Sequence, residues 1–163
     1  MLNAVLFDMD GVIVDTEPLH HKAYYQLFDS IGIEVSDELY QSCTGQSTIN
    51  VCKKIKEHFR IKLPAKELAE TKQANFKQLF ANDDSLQLLD GVLELIQDYH
   101  KNGLTLILAS SASHNTINNV FLRFDLDQYF KAKISGSDFE KSKPHPAIFL
   151  KGAELANQPV ENC

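Results

Sequence analysis

The sequence predicts an α/β fold, a parallel-sheet core with an all-α cap inserted after the first strand. Three observations predict it. Ala4-Val5-Leu6-Phe7 is an unbroken apolar run of strand length and Leu104–Ala109 is a second, apolar but for Thr105, the pattern of strands buried on both faces. Helical periodicity separates the second run from a third, weaker one at Ala132–Ser135, and such alternation makes a parallel sheet with right-handed crossovers. Residues 16–86, by contrast, carry only helical patterns. The core is therefore expected to be discontinuous, residues 1–15 plus 87–163, around a helical cap domain of residues 16–86. The junctions near Asp15–Glu17 and Asn82–Asp90 would be its hinges, and a hinged lid suits an enzyme that excludes water.

The elements follow in order. Thr16 or Glu17 before Pro18 starts a helix, because proline's missing N–H would be unsatisfied at that position anyway. This helix runs to about Ser30, with Leu19, Ala23, Leu27 and Ile31 on one face, and stops at Gly32. Ser36–Cys43 is a short helix. Ser47–Phe59 begins with a Ser47 cap and turns Cys52, Ile55 and Phe59 inward. Pro64–Phe80 buries Leu68, Ala69, Phe76, Leu79 and Phe80. After the polar turn Asn82–Ser85, Asp90 caps a helix carrying Val92, Leu95, Ile96 and Tyr99, closed at Asn102-Gly103. The second strand ends in Ser110-Ser111-Ala112-Ser113. A helix over Ser113–Phe124 follows, then a short helical turn at Asp125–Phe130, the third strand, and a last helix over Pro146–Asn157.

Composition narrows the function classes. The 163 residues are 44% hydrophobic and 23% charged, ordinary for a globular protein. A net charge of −6 without any basic run argues against nucleic acid as a partner. No apolar run is long enough to cross a membrane, and the N-terminus enters a strand directly, with no signal peptide. Cys43, Cys52 and Cys163 lack metal spacing and read as reduced thiols, which fits a cytoplasmic protein.

The chemistry gathers at strand ends. Asp8-Met9-Asp10-Gly11 closes the first strand, and ligands of open parallel sheets bind at the carboxyl ends of strands. Two acids crowded there repel one another unless a divalent cation such as Mg²⁺ offsets them. Asp8 could attack a phosphorus atom, while Asp10 could give a proton to the leaving oxygen and later take one from water. Gly11 permits the turn that swings Asp10 over the same site. A lone Asp-x-Asp is otherwise an Asx turn. Ser110, with the N–H groups of Ser111 and Ala112 at a helix start, could hold a phosphate; alone it would be a helix cap. Lys143, stiffened in Lys143-Pro144-His145-Pro146, could offset the charge of Asp8 and a phosphate together; its other reading is a surface lysine next to a helix start.

Asp8-Met9-Asp10-Gly11-Val12 with Asp15-Thr16, Ser110 after an apolar strand, and Lys143-Pro144-His145-Pro146 resemble the haloacid dehalogenase-like (HAD) hydrolase superfamily. Within it the chain resembles the β-phosphoglucomutase/phosphatase subfamily with a helical C1 cap. The resemblance covers essentially the whole chain. It implies a HAD-like Rossmann-type core, Asp8 as nucleophile, Asp10 as general acid/base with its carbonyl on Mg²⁺, and Ser110 and Lys143 as phosphate ligands. Thr16 and His20 stand as in the mutases, where a histidine at this place couples cap closure to Asp10. Lys72 could approach the substrate from the cap; its other reading is a solvated lysine.

Two departures from the resemblance matter. The mutase cap loop has Gly-x-Ser followed by an arginine that grips a second phosphate. Here Thr44-Gly45-Gln46-Ser47-Thr48 keeps Gly45 and Ser47 but has Thr48 in the arginine's place, and threonine cannot replace that bidentate cation. The superfamily's fourth motif, which supplies a third metal ligand, is expected beyond Cys163. The core would then be incomplete at its C-terminal side, as in a fragment, leaving Ala4–Phe7 as an apolar sheet edge open to dimerisation or swapping. The expected activity is a Mg²⁺-dependent phosphatase acting on a small phosphorylated metabolite, a sugar phosphate. The alternatives are a β-phosphoglucomutase and a non-catalytic phosphometabolite-binding protein, the latter especially for a fragment. A haloacid dehalogenase proper ranks below these, since Asp10 would have no role in it.

Overall fold

A computed structural model describes residues 1–163. The apolar runs form β1 (Ala4–Phe7), β2 (Thr105–Ser110) and β3 (Phe130–Ser135). They make one parallel sheet in the order β1-β2-β3. The position of β2 between two neighbours explains its composition, since Leu106, Ile107, Leu108 and Ala109 are all buried. In β1 only Ala4 and Phe7 are buried, and Val5 and Leu6 are half-buried. The run is thus not buried throughout, and β1 lies at one edge of this sheet, the position expected for Ala4–Phe7. The backbone divides into two compact units, Met1–Asp15 with Leu86–Cys163, and Thr16–Ser85.

In the first unit α5 (Val92–Lys101) precedes β2, α6 (His114–Arg123) joins β2 to β3, and α7 (Ala147–Ala156) follows β3. Helix α7 packs on the sheet at Gly152, where a Cβ would strike the Leu6 side chain. Around that contact Ala4, Ile107, Ala109, Ile134, Ile148 and Ala156 form one core cluster. Elsewhere in this unit Phe7 meets Phe130 edge-on at 5.6 Å, and Phe130 meets Phe121 at 5.1 Å. Burying such a side chain contributes about 1.5–3 kcal/mol.

Three local expectations need correction. Asp90 does not cap α5. The cap position is Gly91 with φ 78°, a left-handed conformation that favours glycine, and Leu95 points outward, 41% exposed. Asp125–Phe130 forms no helix, only one hydrogen-bonded turn in which Tyr129 N–H donates to Leu126 O at 3.0 Å. Asp125 itself is left-handed, with φ 52°, its carboxylate and carbonyl accept from Gln128, and the chain enters β3 already at Phe130. Ser47 occupies the cap position of its helix without a side-chain cap bond.

The second unit holds α1 (Glu17–Ser30), α2 (Asp37–Gln41), α3 (Thr48–Phe59) and α4 (Ala65–Asn82). Thr16 precedes α1, with Pro18 in its first turn, and Ser36 caps α2 by accepting from Leu39 N–H at 3.3 Å. Helix α4 packs against α1 and α3. Tyr24, Leu27, Phe28, Val51, Cys52 and Leu68 fill the space between them. All three cysteines are free, Cys43 and Cys52 buried and Cys163 exposed. Burial pushes the Cys52 thiol up to about 11, against the smaller pull of the Lys72 charge. No helix is long and apolar enough to cross a membrane.

Candidate active site

The carboxyl ends of β1 and β2 carry the first group of candidate residues. Asp8 follows β1 directly. Its Oδ1 accepts from Met9 N–H at 2.8 Å and faces Lys143 Nζ at 2.9 Å. Both bonds fall on one oxygen, Oδ1. The loop after it is tight. Val12, Ile13 and Val14 N–H groups all point to the Met9 carbonyl, at 2.8–3.2 Å, and Gly11 donates back to Val14 O at 2.9 Å. Gly11 has φ 73°, so the reversal that follows Asp10 needs a residue without Cβ. Asp10 is held in this loop by a bridge to Val14.

Lys143 reaches the same place from the loop before α7. Its Nζ also donates to Ala109 O at 2.7 Å, near the end of β2, and lies 4.9 Å from the centre of the Phe149 ring. Its side chain is 17% exposed and that of Asp8 39%, so the carboxylate end of the pair is the more open to water. Ser110, fully buried, accepts from Ala112 N–H at 3.0 Å. The N–H of Ala112 thus orients the serine hydroxyl. Ser111 is half-buried beside it.

Two supporting residues escaped the sequence reading. Ser135, the register partner of Ser110, donates to Ala112 O at 2.7 Å and accepts from Ser137 N–H at 3.1 Å. Gly136 lies so close that a Cβ would sit 3.0 Å from Ser111 Cα. The Ser135-Gly136 pair at the end of β3, on the same sheet edge as Ser110, was the available signal.

The remaining candidates, Thr16, His20, Gly45, Ser47 and Lys72, belong to the helical unit. Thr16 is buried, and its carbonyl accepts the His20 N–H at 3.0 Å. Gly45, with φ 81°, and Ser47 lie in the loop before α3. His20 and Lys72 come together, with Lys72 Nζ 2.5 Å from His20 Nδ1. Lys72 is 2% exposed and lies over the rings of Tyr24 at 4.7 Å and Phe76 at 5.0 Å, which corrects its reading as a solvated side chain. His20 stacks on Phe76 at 4.2 Å. Burial, and then the Lys72 charge, hold the His20 imidazole well below its usual range, so it is neutral at pH 7.

A parallel α/β core with paired acids at a strand end, joined to a helical domain, has the build of a hydrolase. The haloacid dehalogenase-like hydrolase profile matches residues 2–163, and the chain belongs to that family. It is 29% identical over 156 residues to the phosphorylated carbohydrates phosphatase of Thermotoga maritima, covering 96% of this chain and 71% of that protein. It is 26% identical over 166 residues to the 6-phosphogluconate phosphatase of Escherichia coli, covering 99% and 72%. Among solved structures, β-phosphoglucomutase from Clostridium difficile superposes with a TM-score of 0.88 at 29% identity, over 100% of this chain and 74% of that one.

The donor set can be tested against Mg²⁺. No group of three or more His, Cys, Asp or Glu side chains is placed to hold a metal. Magnesium, however, takes one or two carboxylates, keeps several waters and completes its shell with substrate phosphate. Asp8 and Asp10, all-oxygen donors with Asp8 partly open to water, fit that requirement.

Proposed function

We propose that the chain is a phosphomonoester hydrolase acting on a small phosphorylated metabolite, a sugar phosphate, through an aspartyl-phosphate on Asp8. The observation that carries this reading is the Asp8–Lys143 contact at 2.9 Å on Oδ1, with Oδ2 left to attack phosphorus. As the Oδ2–P bond forms and the bond to the leaving oxygen breaks, Asp10 donates a proton to that oxygen. Asp10 then takes a proton from the water that cleaves the acyl phosphate. Lys143 and the Ser110 hydroxyl face the phosphoryl oxygens and offset their charge. Asp8 and Asp10 would hold Mg²⁺, which supplies further charge withdrawal from the phosphoryl group when bound.

The phosphatase names of the relatives from Thermotoga maritima and Escherichia coli support the substrate class. A second reading, phosphoryl transfer within a sugar phosphate, is favoured by the likeness to the Clostridium difficile mutase. Thr48 in the arginine's place weighs against it. Phosphate release from a panel of sugar phosphates, beside conversion of β-glucose 1-phosphate to glucose 6-phosphate, separates the two. Removal of Mg²⁺ by chelation is expected to stop either reaction, and re-addition to restore it. Asp8→Asn is expected to reduce turnover to background; retained turnover by that variant would refute both readings.

A further inference from the structure

Phe149 is the aromatic side chain that the core does not explain. Its neighbour Ile148 is buried in the sheet-facing cluster, and Gly152 and Ala156 mark the same packed face of α7. Phe149 itself is 39% exposed and lies off that packed face. What it faces is an ammonium group, Lys143 Nζ, 4.9 Å from its ring centre.

We propose that Phe149 is a positioning residue, its ring holding the Lys143 ammonium in place while the charge on Asp8 changes. The inference rests on the reading of Asp8 as nucleophile. Lys143 Nζ has three partners: Asp8 Oδ1, the Ala109 carbonyl and the Phe149 ring. When Oδ2 bonds to phosphorus and the leaving oxygen departs with a proton, the Asp8 carboxylate loses its own charge, and the acyl phosphate carries its charge on the phosphoryl oxygens. Oδ1, now a carbonyl oxygen, then holds the ammonium less strongly. The Ala109 carbonyl and the negative face of the ring do not change during that step, so together they keep the cation beside the phosphoryl oxygens. A carbonyl alone fixes one N–H direction, whereas a ring face bounds the ammonium from a second side. The aromatic ring does this without adding an acid that would compete for the metal.

The test grades the ring's electrostatics without changing its shape. Phe149 is replaced by 4-fluoro-, 3,5-difluoro- and 3,4,5-trifluorophenylalanine, and Phe149→Tyr and Phe149→Leu are made beside them. Turnover is followed with p-nitrophenyl phosphate and Mg²⁺. The ε-CH₂ signal of Lys143 is followed by ¹³C-lysine NMR, assigned by its loss in Lys143→Ala. An exposed cation–π contact predicts a stepwise fall of kcat/KM across the fluorine series, reaching about two- to fivefold at three fluorines, with Phe149→Tyr near the parent. The Lys143 ε-CH₂ signal is expected upfield from ring current in the parent and at ordinary lysine shift in Phe149→Leu. Equal kcat/KM for phenylalanine and trifluorophenylalanine would overturn the inference, as would a Lys143 signal unmoved by Phe149→Leu. If the parent releases no phosphate from any phosphomonoester, the proposed reaction falls, and the ring-current result alone decides whether Phe149 holds Lys143.

Discussion

The buried His20–Lys72 pair should make the protein lose stability on mild acidification. His20 is held below its usual range by burial first and by the Lys72 charge second, with Lys72 Nζ 2.5 Å from Nδ1. In the unfolded chain the imidazole titrates near 6.5, and in the folded chain it stays neutral to lower pH. Between those two values the unfolded state binds more protons, so stability falls as pH falls. Above about 6.5 both states are neutral and this contribution is fully present. One proton gives a slope of at most about 1.4 kcal/mol per pH unit, so the loss reaches up to ~2 kcal/mol at pH 5. Urea unfolding followed by circular dichroism at intervals from pH 8 to pH 5 measures it. His20→Gln removes the titrating group and should flatten the curve in this window, whatever it does to stability at pH 8. Lys72→Met removes the second cause and should make the fall shallower. Parallel curves for the parent and His20→Gln between pH 6.5 and pH 5 would refute the reasoning.

Two further outcomes follow from packing around the strand ends. Ser135→Ala removes the donor to Ala112 O and the acceptor of Ser137 N–H, and should cost about 1–3 kcal/mol in chemical denaturation. Gly152→Val places branched carbon against Leu6 and Ile107; the crowding should lower stability by about 1–3 kcal/mol, seen as a reduced urea midpoint at unchanged slope.

The fold class was legible because its signals are dense. The run Leu104–Ala109 admits no alternation, and it becomes the central strand, whose two neighbours require just that composition. The run Ala4–Phe7 lies at an edge, as the resemblance led one to expect and as a short apolar run alone does not report. Asp90 was misread because an acid beside a helical pattern is a strong cap signal, while the left-handed Gly91 next to it was the residue the turn required. Lys72 shows a different limit. It stands four residues after Leu68 and four before Phe76, squarely on the buried stripe of α4, yet a charged residue is counted as polar whatever its position. At the candidate site, the acids and Lys143 announced themselves through motif spacing. Ser135, Gly136 and Phe149 did not, because what distinguishes them is a contact made across the sheet end rather than a pattern along the chain.

The pairing of Ala4 with Thr105 has a consequence for synthesis. At about 5–20 residues per second, β1 emerges roughly 5–20 s before its partner strand exists. During that time its apolar backbone has nothing native to pair with. The helices of residues 16–85 depend mainly on one another and can fold in the interval, since α1 and α4 already pack together. Their folding gathers much of the intervening chain and lowers the closure entropy that the β1–β2 pairing must overcome. The inserted helices thus have a part to play in the order of assembly as well as in the finished fold, and a slow or misfolded helical unit should show first as aggregation nucleated at residues 4–7.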